Sequence, residues 1–394
     1  MIDLPAKQLP AFGLPNPDVT SGFGAYVHIP FCRVRCGYCD FNTYTNTDFG
    51  PGAKVSDYQE SVAREIELSS HQLIAGGDPS LTSIFFGGGT PTMLNATQLV
   101  AILRKLRETF GVVNGAEITI EANPESVNRD ALETLKNGGF TRVSFGMQSA
   151  VSHVLDTLER QHTPGQVREV TRWARQVGLD YSVDLIYGAP GESLDDWQRS
   201  LDAAIALEPG HISAYGLTIE PGTAMGRKVR KGELSETDPD EMATKYEMAE
   251  AALNEAGYSW YEVSNWAKPG KESRHNLAYW RNTNWWGYGP GAHSHINGSR
   301  FWNVKHPGAY AKHLAAGTIP AAEIEHLTDA ERREEAIMLG VRVAEGIAVP
   351  DVEPHVVAGL ISDGLIESGE ALRGRIVLTL RGRLLADTVI RALW

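Results

Sequence analysis

Cysteine is scarce in this sequence, which has three in 394 residues, and several patterns that mark common protein classes are missing. No apolar run approaches the roughly 18 residues that a membrane-spanning helix needs. The start of the chain has neither a basic segment followed by an apolar block nor a small-residue cleavage site, so we expect no secretory signal. These absences favour a cytoplasmic protein.

Positive charge is also in short supply. The 36 Lys and Arg residues are outnumbered by 49 Asp and Glu residues, which gives a formal net charge of −13. Because nucleic-acid binding depends on clustered Lys and Arg, we expect no nucleic-acid partner. The one basic run, residues 227–231, lies among glycines and acidic residues, and we interpret it as a solvated surface loop.

Repeats and nucleotide-binding motifs are missing as well. The sequence has no tandem repeat and no low-complexity segment, and a G-x-G-x-x-G spacing is not present. The Gly-rich turn at residues 87–91 is not followed by the Lys and Ser or Thr of a phosphate-binding loop. With 42% hydrophobic and 22% charged residues, the composition is that of a globular protein with two or three domains.

All three cysteines fall in one loop, Cys32, Cys36 and Cys39, with the spacing C-x3-C-x2-C. A cubane cluster has four irons and is normally held by four cysteines, so three thiolates leave one iron open to a ligand that the protein does not supply. The spacing therefore favours a 4Fe–4S site. A zinc site with His28 as fourth ligand stays open as an alternative, and so does a disulfide with one odd thiol.

From residue 24 onward, short runs of β-branched and aromatic residues alternate with amphipathic helical stretches, a pattern typical of βα units and a parallel sheet. The predicted strands cover residues 25–29, 83–87, 117–121, 142–146, 182–187 and 211–216. The predicted helices cover residues 57–73, 98–110, 129–137, 165–176 and 194–206, with apolar residues at three- and four-residue spacing. Six such units predict an α/β fold, as an open barrel or a doubly wound sheet.

Candidate functional residues cluster where these strands end. The cysteine loop follows the first strand and the Gly-rich turn the second, while Glu121 ends the third, Gln148 follows the fourth and Asp184 lies within the fifth. Ligands bind at the carboxyl ends of strands in barrels and open α/β sheets. We therefore expect these residues to converge on one face.

The pattern changes after residue 218. A charged loop leads to a helix predicted at residues 240–255, then to a tract rich in Trp, Asn, Gly and His at 259–303, and to a helix at 329–344. The end of the chain, with a hairpin-like stretch at 372–380 and a last helix, resembles a winged helix. Its Arg and acidic residues are nearly balanced, which favours a structural or partner-docking unit over a DNA-reading one.

Three motifs together carry a resemblance to a known family. Tyr26-Val-His-Ile-Pro-Phe-Cys32, the cysteine loop and Gly87-Gly-Gly-Thr-Pro91 resemble the radical S-adenosylmethionine superfamily, and within it the oxygen-independent coproporphyrinogen III oxidase-like branch. The resemblance continues through residues 120–124, 144–149, 184–191 and 211–222. It implies an incomplete (β/α)6 barrel, a 4Fe–4S cluster, and S-adenosylmethionine chelated to the open iron.

The resemblance also implies a division of the chain and a set of site residues. We predict an N-terminal arm at residues 1–23, a radical S-adenosylmethionine core at 24–220, a barrel extension at 221–320 and a C-terminal winged-helix-like domain at 321–394. The residues implied to contact S-adenosylmethionine are Tyr26, Gly88, Gly89, Thr90 and Glu121. Those implied to line the same cavity or a second cofactor or substrate site are Gln148, Arg160 and Asp184.

Each of these residues has a simpler alternative role. Glu121 or Asp184 could cap a neighbouring helix, and Arg160 could be an ordinary surface cation. The placement of these residues at strand ends favours the functional interpretation.

Three features distinguish the subgroups of this branch. The oxidases resemble C-x3-C-x2-C-x-C, whereas this chain has Phe41 where the extra cysteine would stand, and its segment before the cysteine loop is short. In addition, His275-Asn-Leu-Ala-Tyr-Trp280 matches the H-N-x-x-Y-W signature associated with haem in the haem chaperone subgroup, HemW. The resemblance thus implies haem binding, with His275 as the candidate residue and His293 and His295 as further candidates.

We therefore predict a haem chaperone without coproporphyrinogen oxidase activity, which transfers haem to acceptor proteins. The resemblance suggests acceptors among membrane-associated respiratory haem proteins. One alternative is an enzyme that decarboxylates coproporphyrinogen III by radical chemistry. A second is a DNA-binding regulator that uses the C-terminal unit, with the cluster as a redox sensor.

Overall fold

The computed structural model describes residues 22–74 and 79–394. The predicted N-terminal arm therefore lies outside the described residues, apart from its last two. The strands in chain order are β1 (Phe23–Ile29), β2 (Leu81–Gly88), β3 (Val112–Ala122), β4 (Arg142–Gln148), β5 (Asp180–Tyr187), β6 (His211–Gly216), β7 (Ser259–Glu262), β8 (Asn265–Ala267), β9 (Asn284–Tyr288), β10 (His293–Ile296), β11 (Ser299–Asn303), β12 (Ala321–His326), β13 (Ile347–Ala348) and β14 (Arg375–Ile376).

Helices separate most of these strands, and short 3-10 turns at Pro91–Met93 and Pro124–Ser126 follow β2 and β3. The α-helices are α1 (Tyr58–Leu73), α2 (Ala96–Phe110), α3 (Arg129–Gly138), α4 (Ser152–Thr157), α5 (Pro164–Val177), α6 (Leu194–Ala206), α7 (Ala224–Arg230), α8 (Pro239–Glu255), α9 (Arg274–Trp280), α10 (Pro307–Ala315), α11 (Asp329–Gly340), α12 (Pro354–Ser362), α13 (Ser368–Leu372), α14 (Leu380–Leu384) and α15 (Ala386–Leu393). Within residues 22–74 and 79–394, every helix is too short or too polar to span a bilayer.

The six predicted strands and the five helices predicted between them are confirmed as β1 to β6 and as α1, α2, α3, α5 and α6. The largest difference is in β3, which begins at Val112 rather than at residue 117. Val113, Asn114 and Gly115 are exposed, so this end of the strand lacks the apolar pattern by which a buried strand is predicted.

Two predictions about the second half of the chain are wrong. The basic run is not a loop, because Ala224–Arg230 forms a helix whose first turn is capped by Thr223, with Oγ1 accepting the Gly226 N–H at 3.0 Å. The stretch at 372–380 is not a hairpin, because β14 pairs antiparallel with the distant β13. A pairing partner so far away in the chain leaves no turn signal in the local sequence.

The described residues form two compact units. The first comprises residues up to 145 together with 169–180 and 283–327, and the second comprises 146–168, 181–282 and 328–394. In the first unit the strand order is β12-β11-β10-β9-β1-β2-β3-β4. β1 lies at the centre of this order, parallel to both β2 and β9, and it leads directly into the cysteine loop.

The second unit contains strands β5 to β8 and a core of its own. β5 and β6 are parallel, β8 is antiparallel to β6, and β7 is antiparallel to β8. Buried aromatic residues, among them Trp197, Tyr246 and Trp266, pack α6 and α8 against these strands. A separate cluster that includes Val341, Leu360 and Ile376 forms the core of the C-terminal segment.

A fully buried carboxylate joins several elements of the first unit. Glu65 of α1 accepts hydrogen bonds from the Asn303 amide at 2.6 Å, the Tyr310 hydroxyl at 2.6 Å and the Gly289 N–H at 2.8 Å. Burial raises the pKa of Glu65 to about 7, although these donors act in the opposite direction. Because an unpaired buried charge is costly, the hydrogen bonds from these donors stabilise the carboxylate.

We expect Glu65 to make the folded state less stable as the pH rises. The folded pKa of about 7 lies above the ordinary value of 4.5, so the native protein binds more protons between these pH values and its stability falls across that window. With about 1.4 kcal/mol per pKa unit, the loss is on the order of 3 kcal/mol. Glu65→Gln should remove this part of the pH dependence of stability. The measurement is the free energy of unfolding from urea titrations at pH 5 and pH 8.

The quantity to compare is the difference between the wild type and the variant, because other buried groups also titrate in this range. Glu60→Gln, an exposed position in the same helix, serves as the control and should keep the wild-type pH dependence. Equal pH dependence in the wild type and Glu65→Gln would contradict the prediction.

Candidate functional site

The turn after β2 packs directly on the cysteine loop after β1. The Gly89 N–H donates to the Ile29 carbonyl at 2.8 Å, and the Thr90 N–H donates to the Phe31 carbonyl at 2.8 Å. The Thr90 hydroxyl in turn lies 3.7 Å from the Cys32 sulfur. The glycine-rich turn and the first cysteine therefore belong to one hydrogen-bonded structure.

Gly89 is required by the closeness of this packing. A Cβ at this position would lie 2.9 Å from the Cys32 sulfur and 2.7 Å from the Phe31 carbonyl oxygen. Both distances are shorter than van der Waals contact, so no side chain fits here without a shift of the loop. The glycine thus lets the backbone of the turn approach the Cys32 sulfur closely.

The three cysteines differ in exposure. Cys32 is buried, at 7% exposure, whereas Cys36 and Cys39 are half-buried, and all three are free thiols, which contradicts the disulfide alternative. Burial, together with the other two thiols, raises the pKa of Cys32. Arg35 donates to the carbonyls of Cys39 at 3.4 Å and Phe41 at 3.3 Å and so closes the loop.

The geometry does not favour a zinc site. Among the described residues, no three His, Cys, Asp or Glu side chains are grouped around a point where one metal ion would be held. His28 is not available as the fourth ligand, because Nδ1 lies 3.0 Å from the Tyr26 hydroxyl and Nε2 lies 3.0 Å from the Asn42 carbonyl oxygen. Each thiolate of a cubane binds a different iron, so a cluster does not require the cysteines to surround one point.

Burial also fixes the charge state of His28. It lowers the pKa of His28 to about 4, so the ring is neutral at physiological pH. The ring therefore positions Tyr26 through a neutral hydrogen bond. Sequence reasoning assigned no such role to His28, although it is part of the motif that precedes Cys32.

Glu121 at the end of β3 reaches the same turn. Its Oε2 accepts the Gly88 N–H at 3.3 Å, and a Cβ on Gly87 would lie 3.1 Å from this oxygen. Asn123, which follows β3, donates to the Thr90 hydroxyl at 3.1 Å. Asn123 is a site residue that the sequence analysis missed, and its position just after a strand was the available signal.

The structure thus brings six of the predicted site residues together in the first unit. They are Tyr26, Cys32, Gly88, Gly89, Thr90 and Glu121.

The remaining predicted contacts lie in the second unit. Gln148 ends β4 with a φ of 60°, a left-handed conformation that is uncommon for residues other than glycine and often marks a functional site. Arg160 is half-buried and donates to the Gly146 carbonyl at 3.2 Å, so it is not a simple surface cation. Asp184 accepts a hydrogen bond from the Ser213 hydroxyl at 2.7 Å.

The side chain of His275, in helix α9, is buried. Its exposure is 1%, its Nε2 lies 2.9 Å from the Tyr279 hydroxyl, and the two rings are in T-shaped contact. Burial lowers the pKa of His275 to about 3. Since metal ligands must be accessible and neutral, this ring meets the second condition but not the first in the conformation described.

Comparisons with known proteins identify the family of this chain. The Radical SAM superfamily model, named for S-adenosylmethionine, matches residues 26–204. The chain is 45% identical over 376 residues to a haem chaperone HemW of Mycobacterium tuberculosis, with 94% of each chain covered. A HemW of Bacillus subtilis is 33% identical, with 93% of this chain and 98% of that one covered.

This chain belongs to the HemW family. The predicted family is therefore confirmed.

A solved structure supports the fold of this HemW family member. The coproporphyrinogen III oxidase (HemN) of Escherichia coli, a radical SAM enzyme, aligns with a TM-score of 0.79 at 24% identity, covering 94% of this chain and 90% of that one. The likeness confirms the predicted α/β fold with an incomplete barrel and a small C-terminal unit. At this identity the likeness concerns the fold alone.

We expect Cys32 to be the least reactive of the three cysteines in the reduced, metal-free chain. It is the most buried of the three, and burial raises its pKa, while alkylation requires an accessible thiolate. A time course with iodoacetamide, followed by peptide mass spectrometry, measures the three rates separately. In urea the three rates should become similar, and equal rates without urea would contradict the described loop.

Proposed function

We propose that this protein is a haem chaperone that carries a 4Fe–4S cluster and S-adenosylmethionine, binds haem and transfers it to acceptor proteins. The observation that carries the proposal is the 45% identity to a haem chaperone over 94% of both chains. The site geometry supports it, because the cysteine loop and the glycine-rich turn form one structure.

The residues proposed to hold the cluster are Cys32, Cys36 and Cys39. Their thiolates suit iron, and three of them leave one iron for an external ligand. When bound, the cluster and S-adenosylmethionine supply one-electron reductive chemistry. The protein itself holds the thiols in one loop through the Arg35 contacts to the Cys39 and Phe41 carbonyls.

S-adenosylmethionine is proposed to bind along the glycine-rich turn. Gly88, Gly89 and Thr90 let the backbone approach closely, while Glu121 and Tyr26 offer a carboxylate and a hydroxyl beside the turn. The Glu121 carboxylate suits a positively charged amino group.

The proposed contacts from the second unit are Gln148, Arg160 and Asp184, either to S-adenosylmethionine or to a neighbouring cofactor or substrate. The left-handed backbone of Gln148 is the structural feature that supports a functional role for this group.

Haem is the proposed cargo, and His275 is the proposed residue for retaining it. Because the His275 ring is buried against Tyr279, retention of haem through His275 requires α9 to open. We further propose haem proteins of the respiratory chain, including membrane-associated ones, as acceptors. The three free cysteines suit a reducing compartment, and we propose the cytoplasm.

A second candidate function is the decarboxylation of coproporphyrinogen III. The fold likeness to the Escherichia coli oxidase favours it, since the same barrel and cysteine loop would serve both activities. Phe41 stands where the oxidases carry a further cysteine, and its side chain is 63% exposed. We therefore place this function second.

The two functions predict different products. We expect anaerobically reconstituted protein to take up haem. When the same protein is incubated with S-adenosylmethionine, a strong reductant and coproporphyrinogen III, chromatography should detect no protoporphyrinogen. Haem retained after gel filtration should fall in His275→Ala, and also in His275→Gln, which keeps a polar side chain of similar length. Formation of protoporphyrinogen would establish the oxidase instead.

Gly89→Ala should impair cluster assembly. The added Cβ would overlap the Cys32 sulfur and the Phe31 carbonyl, and overpacking of this kind costs about 1–3 kcal/mol, so we expect a roughly tenfold or larger loss of cluster affinity. Iron and sulfide content after anaerobic reconstitution measures the effect. Gly359→Ala, where no heavy atom lies within 4 Å of the new Cβ, is the matched control and should assemble the cluster normally.

A further inference from the structure

One face of the β9–β10–β11 sheet carries two histidines and two tryptophans. His293 and His295 are two residues apart in β10, so their side chains share a face. His293 is paired across the strands with Trp302 of β11, and His295 is paired with Arg300 of β11 and Trp285 of β9. This surface, formed by His293, His295, Trp285, Arg300 and Trp302, is called the histidine face below.

The two histidines of this face differ in availability. His295 is 3% exposed, its Nδ1 lies 3.1 Å from the Thr283 carbonyl oxygen, and its Nε2 accepts the Gly298 N–H at 3.1 Å. Both nitrogens of His295 therefore have structural partners. His293 is exposed and stacks on Trp302, with the ring centroids 5.6 Å apart and the planes at 29°.

The ring of His293 is held in a way that suits a metal ligand. The backbone of Gly291 lies close enough to the ring to raise its pKa, against the effect of burial. Histidines that bind metals usually engage a backbone carbonyl or a carboxylate through their second ring nitrogen, which fixes the tautomer and the ring orientation. The stack on Trp302 restrains the same ring from one side.

The surroundings of His293 also suit haem. Burial of part of the ring and the nearby charge of Lys305 lower the pKa of His293, which favours the neutral imidazole that binds iron. Lys305 is exposed and is a suitable partner for a propionate carboxylate. Trp302, which stacks on this ring, would lie beside a bound porphyrin and offer it an aromatic contact.

The histidine face adjoins the strand that leads into the cysteine loop. Tyr26 of β1 is paired with Gly287 of β9, and a Cβ on Gly287 would overlap the His293 carbonyl oxygen. The charge of His293 is close enough to lower the pKa of His28. The exposed imidazole is therefore close to His28, on the same unit as the proposed cluster.

We propose that haem first docks on the histidine face, with the His293 imidazole as the iron ligand and Lys305 as the partner of a propionate. This inference rests on the proposed haem chaperone function and deepens it, because it assigns the initial complex to an exposed residue outside the H-N-x-x-Y-W motif. In this proposal His275 retains haem at a later stage, after α9 has opened. His293 is exposed and can bind haem without that opening.

The test is rapid mixing of the purified full-length chain with haem, followed by the change in Soret absorbance. In His293→Ala we expect the rapid first phase to lose at least about tenfold in apparent affinity, with loss of the histidine-ligated spectrum. His293→Gln, at the same exposed position, gives a second variant of similar side-chain length. His71→Ala removes an exposed histidine from α1 and should bind haem like the wild type.

Metal-free protoporphyrin IX separates ligation from simple adsorption of a flat molecule. His293→Ala should bind it as the wild type does, since no iron is present to be ligated, and an equal loss for haem and for the metal-free porphyrin would overturn the ligand assignment. An unchanged first phase in both His293 variants would overturn the docking site while the chaperone function stands. Failure of the wild type to take up haem at all would overturn the function and this site together.

Discussion

The site depends on the contact between the turn after β2 and the loop after β1. Two backbone hydrogen bonds hold them together, from Gly89 to Ile29 and from Thr90 to Phe31, and the missing side chain of Gly89 makes the approach possible. Strands β1 and β2 are parallel neighbours, so both segments leave the sheet at the same edge. The glycine-rich turn and the cysteine loop therefore form one hydrogen-bonded structure, although about fifty residues separate them in the sequence.

A second set of contacts stabilises the other side of the cysteine loop. The Asn42 side-chain amide donates to the carbonyls of Pro290 and Lys305, both at 2.9 Å, while the backbone carbonyl oxygen of Asn42 lies 3.0 Å from His28 Nε2. The Tyr58 hydroxyl donates to the His28 carbonyl, and Glu65 of the same helix accepts the Gly289 N–H. The cysteine loop is thus fastened to segments that lie far away in the sequence, which explains how a loop with few regular backbone bonds is ordered.

The geometry and the relatives contribute different parts of the functional conclusion. The family relationship points to haem, and the site explains how thiols and a close backbone can be arranged for a cluster. The histidines show why a motif alone is an incomplete guide, because His275 is buried against Tyr279 while His293 is exposed. For the proposed haem chaperone, an accessible residue would make the first contact with the cargo and a separate, more enclosed residue would retain it.

The sequence alone determined the βα order, the cysteine spacing and the glycine-rich turn, because these depend on local periodicity and on residue types that are nearby in the chain. It also identified the family through those motifs. Tertiary structure decided what local patterns do not contain: that β14 pairs with β13, that both nitrogens of His28 are engaged, and that Asn123 reaches Thr90. The physical reason is that burial, hydrogen-bond partners and therefore pKa values arise from neighbours that are distant in sequence, as the carboxylate of Glu65 and the exposed ring of His293 illustrate.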